Sequence, residues 1–215
     1  MLTGPTIIPP NPTHTLVCLH GFGADGHDFI GLHAPLQANL PNLSLSLFCP
    51  NAPQRVPQFD SGYQWFSDKS WTFRDRDGIE AASQALWHYI HTEIITKLGI
   101  PPQNITVMGF SQGAMTALFS APRWPHKIGG IIAHSGVLMW DDDMPPRFQT
   151  PPTLLLHGTD DNVVPADNTL HAAGRLSELG FPVESHLIPN LAHGVNAQSL
   201  AYISVFLQSV WMGVK

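Results

Sequence analysis

Apolar residues along the chain fall into two alternating kinds of run. Short runs of strand length occur at His14–Leu19, Leu43–Cys49, Ile105–Phe110, Gly130–His134, Thr153–Leu156 and Val183–Ile188. Most are apolar at nearly every position, as strands buried on both faces of a parallel sheet are. Between them, apolar residues recur at helical spacing. The clearest such segment runs from about Gly78 to Leu98, where Ile79, Ala82, Leu86, Tyr89, Ile90 and Ile94 share one face. Asp77, with Glu80 three residues on, predicts a capped start, and Gly99 followed by Pro101 predicts the end. Further helices are predicted after Ser111 as far as Pro122, over about Ala166–Leu179, and near the C-terminus, where Leu200, Ile203, Phe206, Leu207 and Val210 form a face. Repeated β-α units predict an α/β fold with an open, mostly parallel sheet and helices on both faces. In such folds ligands bind beyond the carboxyl ends of the strands.

One stretch departs from this pattern. Pro50–Asp77 is irregular and aromatic-rich, holding Phe59, Tyr63, Trp65, Phe66, Trp71 and Phe73. A long loop in a compact domain usually carries function. Its aromatics either line a ligand pocket or plug the core beneath the loop, and both readings stand.

Composition narrows the class. A length of 215 residues predicts one domain spanning 1–215. The formal net charge of −6, with no cluster of Lys or Arg, argues against nucleic acid as a partner, because phosphate binding needs a basic face. The N-terminus lacks the basic and apolar regions of a signal peptide, and no run approaches the ~20 apolar residues of a membrane span. Cys18 and Cys49 each lie inside an apolar run and are read as buried free thiols rather than a disulfide. A cytoplasmic protein without integral membrane association is the expectation, and a homodimer is left open.

The strongest chemical signal is Gly109-Phe110-Ser111-Gln112-Gly113, between the strand ITVMGF and the helical AMTALF. A G-x-S-x-G sequence at a strand-to-helix turn lifts its serine clear of the sheet, beside a helix N-terminus. A serine hydroxyl needs a base, usually a histidine held by a carboxylate. Two later loops supply candidates at carboxyl ends of predicted strands: His157-Gly158-Thr159-Asp160-Asp161, and Pro189-Asn190-Leu191-Ala192-His193-Gly194. Among twelve histidines, His193 has the loop position and the chain order of a base. His134 and His186 fall within strands, and His157 reads as a residue that ties loops together. Asp160 and Asp161 compete for the role of acid, and their chemistry does not separate them.

An acyl-transfer intermediate also needs two N–H donors for its oxyanion. One is expected from Gln112, the residue after the serine. The other is expected from Phe22, in the loop His20-Gly21-Phe22-Gly23-Ala24-Asp25-Gly26. That loop also matches the G-x-G-x-x-G dinucleotide fingerprint. No Asp or Glu lies between Asp28 and Asp60 to hold a ribose, which disfavours an oxidoreductase. No metal motif is present; His88 and His91 lie one turn apart without further ligands. No cofactor is expected.

Four ordered motifs resemble the phospholipase/carboxylesterase family of α/β-hydrolases, which includes the acyl-protein thioesterases. They are Leu19-His20-Gly21-Phe22-Gly23 with Gly26-His27-Asp28, then GFSQG, then H-G-x-x-D-x-x-V-P, then the terminal His-Gly. The resemblance spans nearly the whole chain. It implies the α/β-hydrolase fold, a serine hydrolase with Ser111, Asp161 and His193 as its triad, and Phe22 as the second oxyanion donor. It implies a small-molecule or lipid acyl ester as substrate. The chain departs from the family pattern at Trp65-Phe66-Ser67, where an aromatic-Phe-Asp motif is usual, and at Val137-Leu138-Met139, where a Trp-Leu-Pro stretch is usual in the thioesterases. Both departures fall on the substrate side. Trp65, Phe66, Trp71 and Phe73 are accordingly expected to form one wall of an acyl pocket for short to medium chains, with Val137 and Leu138 opposite. A hydrolase-fold binding protein without turnover is the alternative.

Overall fold

The computed structural model describes residues 1–57, 59, 61–67, 76–139 and 149–213. A short strand β1 (Thr6–Ile7) precedes β2 (His14–Leu19), and two short helices, α1 (His27–Ile30) and α2 (His33–Asn39), lead to β3 (Leu45–Phe48). A small hairpin follows, of β4 (Gln54–Arg55) and β5 (Tyr63–Gln64). Helix α3 (Arg76–Tyr89) continues as a π-helical stretch over Ile90–Thr96. The remainder comprises β6 (Ile105–Phe110), α4 (Gln112–Ser120), β7 (Gly130–His134), β8 (Thr153–Gly158), α5 (Asp167–Glu178), β9 (Val183–Ile188) and α6 (Ala197–Met212).

Seven strands form one sheet in the order β1-β3-β2-β6-β7-β8-β9. Strand β1 runs antiparallel to β3, and every other pair is parallel. From β2 the chain winds outward to β3, then crosses back over β2 and builds in the other direction from β6. The order therefore reverses between β2 and β6, which are paired with Leu19 opposite Gly109. A crevice opens beyond such a switch point, and it places Ser111 beside the loop that follows β2.

Alternate strand residues feed two cores. Val17, Leu19, Val107, Ile131 and Leu155 pack with Leu86, Leu118 and Leu176 of α3, α4 and α5. Leu16, Cys18, Met108, Ile132 and Leu154 pack with Leu36, Ile203 and Leu207 of α2 and α6. This two-sided burial is the reason the strands read as unbroken apolar runs. Edge strand β9 is covered less completely, with Glu184 and Ser185 exposed.

All six predicted strands form, four with the predicted ends and two, Leu45–Phe48 and Thr153–Gly158, with ends shifted by a residue or two. The N-terminal strand, the hairpin and the two short helices are too short to have produced a periodic signal. Every apolar residue predicted for the face of the long helix is buried. Its start differs: Asp77 lies inside the first turn rather than at the cap, and Glu80 instead accepts from Arg76 Nε at 3.0 Å. Among the described residues, no helix is long and apolar enough to cross a membrane. Cys18 and Cys49 are both buried free thiols.

The core also encloses ionisable groups. His14, His20, His134 and His157 are all held towards the neutral form, burial being the largest cause in each. For His134 the pKa is pushed from 6.5 down to about 3. Such a ring stays neutral in the folded chain but protonates in the unfolded chain near pH 6.5. Below that pH the unfolded state binds more protons, so this contribution to stability is whole above pH ~6.5 and is lost as pH falls towards about 3. Urea-unfolding midpoints should therefore be level above neutrality and fall on acidification. His134→Asn should flatten that fall by up to one proton, about 1.4 kcal/mol per pH unit. An unchanged slope in the variant would show that His134 is not held neutral.

Candidate active site

One residue separates β6 from α4, and that residue is Ser111. To turn the chain so sharply it adopts φ 54°, ψ −119°, a region that L-residues rarely occupy. The strain is held by backbone hydrogen bonds. Ser111 N donates to His134 O at 2.9 Å, and Ser111 O accepts from Ala114 N at 2.9 Å and Met115 N at 3.1 Å. The turn also requires Gly113, where a Cβ would collide with the Leu19 carbonyl oxygen at the end of β2.

Asp161 and His193 lie 32 positions apart, on the loops after β8 and β9, and the two loops are stitched together. Asp160 N donates to Leu191 O at 3.0 Å, and Asn190 N to Thr159 Oγ1 at 3.0 Å. Gly158 permits the approach, since a Cβ there would strike Leu191 O. The Asp161 side chain is fully buried. Its Oδ2 accepts from His193 Nδ1 at 2.7 Å, and its Oδ1 accepts from Val163 N and Val164 N, each at 2.9 Å. Burial alone would raise its pKa, but the His193 hydrogen bond and the two N–H donors outweigh it and hold the carboxyl below its usual value. His157 stands behind it. Its Nε2 donates to Val164 O at 2.9 Å and lies 3.3 Å from Asp161 Oδ2, while Nδ1 accepts from Thr169 Oγ1 at 2.7 Å. His157 thus positions the acid loop. Asp160, by contrast, is exposed and accepts only from Thr159 Oγ1.

Because the carboxylate accepts from Nδ1, the lone pair of His193 lies on Nε2. The Phe110 ring packs on the imidazole at 4.7 Å between centroids. Three residues further on, Asn196 and Ser199 form a reciprocal capping box at the start of α6, and Ser199 Oγ lies 2.8 Å from His134 Nε2. The base loop is thereby anchored to the strand next to that of the serine.

The loop after β2 is braced from below. His20 Nε2 accepts from Ala52 N at 3.0 Å and its Nδ1 donates to Gly21 O at 2.7 Å. The Trp65 indole donates to His20 O at 2.9 Å. Gly23 N donates to Tyr63 O and Tyr63 N to Ala24 O, both at 2.9 Å. Gln112, the first residue of α4, carries an N–H with no partner inside the helix. Its side chain, fully buried, accepts from Trp65 N and donates to Phe66 O, each at 2.8 Å.

The model of the phospholipase/carboxylesterase family matches residues 4–211, almost the whole chain. The chain belongs to that family. It is a hydrolase of the carboxylesterase and acyl-protein thioesterase kind. Acyl-protein thioesterase 1 of Schizosaccharomyces pombe is 28% identical over 217 residues, covering 95% of each chain. Carboxylesterase SOBER1 of Arabidopsis thaliana is 27% identical over 209 residues, covering 90% of this chain and 89% of its own. Among solved structures, esterase PE8 superposes with a TM-score of 0.87 at 31% identity, over 97% of this chain and 99% of its own.

In this family member Ser111 and His193 line one cleft of about 230 Å³. Phe22, Ala24, Phe110 and Val163 supply its apolar lining; Gly21 and Asp28 complete it. The predicted acyl wall is placed differently. Trp65 and Phe66 have no exposed surface and belong to the core, with Trp65 also committed to His20. The loop must bury these rings because its own backbone is clamped by Gln112, so here the core reading of the aromatics prevails. Leu138 is likewise in the core, and Val137 is half-buried against it. Trp71 and Phe73 lie outside the described residues. Sequence reasoning missed the side-chain role of Gln112, together with Asp28, Phe110 and Val163 as lining. The motif Gly26-His27-Asp28 was in view, but no spacing rule pointed that carboxylate at the serine.

Gln112→Ala would orphan one buried N–H and one buried C=O in the Trp65–Phe66 segment. At about 1–3 kcal/mol for each, the melting temperature should drop by roughly 5–15 °C. A drop under about 2 °C would show that the clamp carries little stability.

Proposed function

We propose that the chain hydrolyses carboxylic esters, thioesters among them, through an acyl-enzyme on Ser111, with His193 as base and Asp161 as its partner. The observation that carries this reading is the 2.7 Å hydrogen bond from His193 Nδ1 to a fully buried Asp161, with His193 and a turn-strained Ser111 lining the same cleft. His193 Nε2 takes the hydroxyl proton as Ser111 Oγ attacks the carbonyl carbon. The N–H groups of Phe22 and Gln112 stabilise the oxyanion. Collapse breaks the bond to the alkoxide or thiolate, which leaves with the proton from His193. Water then repeats the sequence: His193 accepts its proton, hydroxide adds to the acyl carbon, and Ser111 Oγ departs with that proton. No step uses a cofactor.

The cleft, at about 230 Å³, is smaller than the ~300–1,000 Å³ of pockets for drug-sized ligands. Short acyl groups suit it best. The acyl-protein thioesterase relatives lend thioester cleavage to the reading. Two buried free thiols fit a reducing, cytoplasmic setting.

On a p-nitrophenyl ester, Ser111→Ala should lower kcat by about 10⁴-fold or more, while its melting temperature stays within about 2 °C. A fluorophosphonate should label the wild type and leave this variant unlabelled. Substantial activity in the variant would exclude Ser111 as nucleophile, and an unlabelled wild type would point to a binding protein.

Asp161→Asn should cost about 10⁴ in kcat, because an amide favours the wrong imidazole tautomer. Asp160→Asn should stay within about threefold of the wild type, since its exposed side chain accepts from Thr159 Oγ1 rather than from His193. Comparable losses at the two positions would refute the assignment.

A further inference from the structure

We infer that Asp28 is a specificity-determining residue that selects esters by the charge they carry close to the carbonyl, favouring cationic substrates over anionic ones. The inference rests on the serine-hydrolase reading above and concerns the same cleft. Among the described residues, Asp28 is the only ionisable side chain besides the imidazole of His193 that lines the cleft, and no described Lys or Arg joins it. The other nearby carboxylates among the described residues have hydrogen-bond partners of their own. Asp25 is paired with His27 at 3.1 Å, and Asp161 accepts from His193 and two backbone N–H groups. Asp28 is exposed, and among the described residues it makes no ion pair. Like Asp25, it acts electrostatically on buried His20 at the base of the loop that follows β2.

The surroundings of Asp28 suit an organic cation. Phe22, more than a third exposed, and Phe110 line the same cleft. Aromatic faces attract ammonium groups, quaternary ones especially, while an apolar lining offers an anion no donor in exchange for its water. The overall charge of −6 acts in the same direction over longer range. Esters bearing an ammonium group a few bonds from the scissile carbonyl are therefore the preferred class. Esters bearing a carboxylate or sulfonate at that distance are rejected.

Two matched series test this on the full-length protein. The first places the charge on the alcohol: acetylcholine, its neutral isostere 3,3-dimethylbutyl acetate, and O-acetylisethionate. The second places it on the acyl group: p-nitrophenyl esters of 4-(trimethylammonio)butanoate, 5,5-dimethylhexanoate and 4-sulfobutanoate. Each kcat/KM is divided by that of the neutral member for the same enzyme, so that changes common to all substrates cancel. In at least one series the wild type should favour the cation over the anion by about tenfold or more at low ionic strength. That ratio should shrink several-fold near about 0.5 M salt. Asp28→Asn should bring it to within about twofold of unity, and Asp28→Lys should invert it. A wild-type ratio near one in both series, or one that Asp28→Asn leaves intact, would overturn the inference while the hydrolase reading stands. Neutral esters left untouched by the wild type, or still cleaved by Ser111→Ala, would instead remove that reading and the inference with it.

Discussion

A carboxylate with no exposed surface and, among the described residues, no Lys or Arg paired with it is satisfied by neutral donors, and the geometry of this site follows from how Asp161 meets that demand. Removing such a group from water is costly unless each oxygen is hydrogen-bonded. One oxygen takes two consecutive backbone N–H groups from its own loop, which forces that loop to curl around it. The other takes the His193 ring and lies near His157. Three segments separate in sequence are thereby drawn to one point. Satisfying the charge and orienting the ring are one interaction, so replacing His193 leaves the buried carboxylate short of a donor and replacing Asp161 frees the ring.

Gln112 solves the matching problem on the other side of the crevice. The turn at Ser111 brings the first residue of α4 under the segment after β5, where a buried stretch of backbone must find partners. An amide side chain offers one acceptor and one donor, and it meets Trp65 N and Phe66 O with both. Trp65 in turn meets His20 O, and His20 meets Ala52 N and Gly21 O. A single chain of hydrogen bonds thus runs from the serine turn to the loop that carries Phe22. Its rigidity suits an oxyanion site, whose donors must be fixed before the charge develops.

How much of this could be read beforehand depended on whether a feature is repeated or solitary. Six strands and the long helices announce themselves by periodicity, because burial acts on many residues at once. Ser111 and its glycines are legible because a sharp strand-to-helix turn restricts several neighbouring positions together. The choice between Asp160 and Asp161 was not legible from chemistry. It is made by one loop's curvature, which places Asp160 in solvent and Asp161 against His193. Trp65 and Phe66 show the same limit: an aromatic in an irregular loop looks identical whether it faces a ligand or the core, and only the partner of its backbone decides. Strand β1 pairs two residues and carries no pattern to detect.

The residues fall into two sets with different freedom to vary. Gln112, Asp161 and His157 are held by hydrogen bonds to the backbone of neighbouring segments, so a change at any of them disturbs the frame around Ser111. Phe22, Asp28 and Val163 line the same cleft but are exposed. Under the proposed mechanism the first set fixes where an acyl carbon and its oxyanion would sit. The second sets the charge and apolar character that a substrate meets on the way in. Charge is the strongest discriminator available to such a small cleft, because it acts beyond contact distance, whereas a methylene gained or lost in an apolar pocket is worth only about 1–3 kcal/mol. A lone carboxylate at the mouth can therefore redirect substrate choice without disturbing the hydrogen-bonded frame that performs the chemistry.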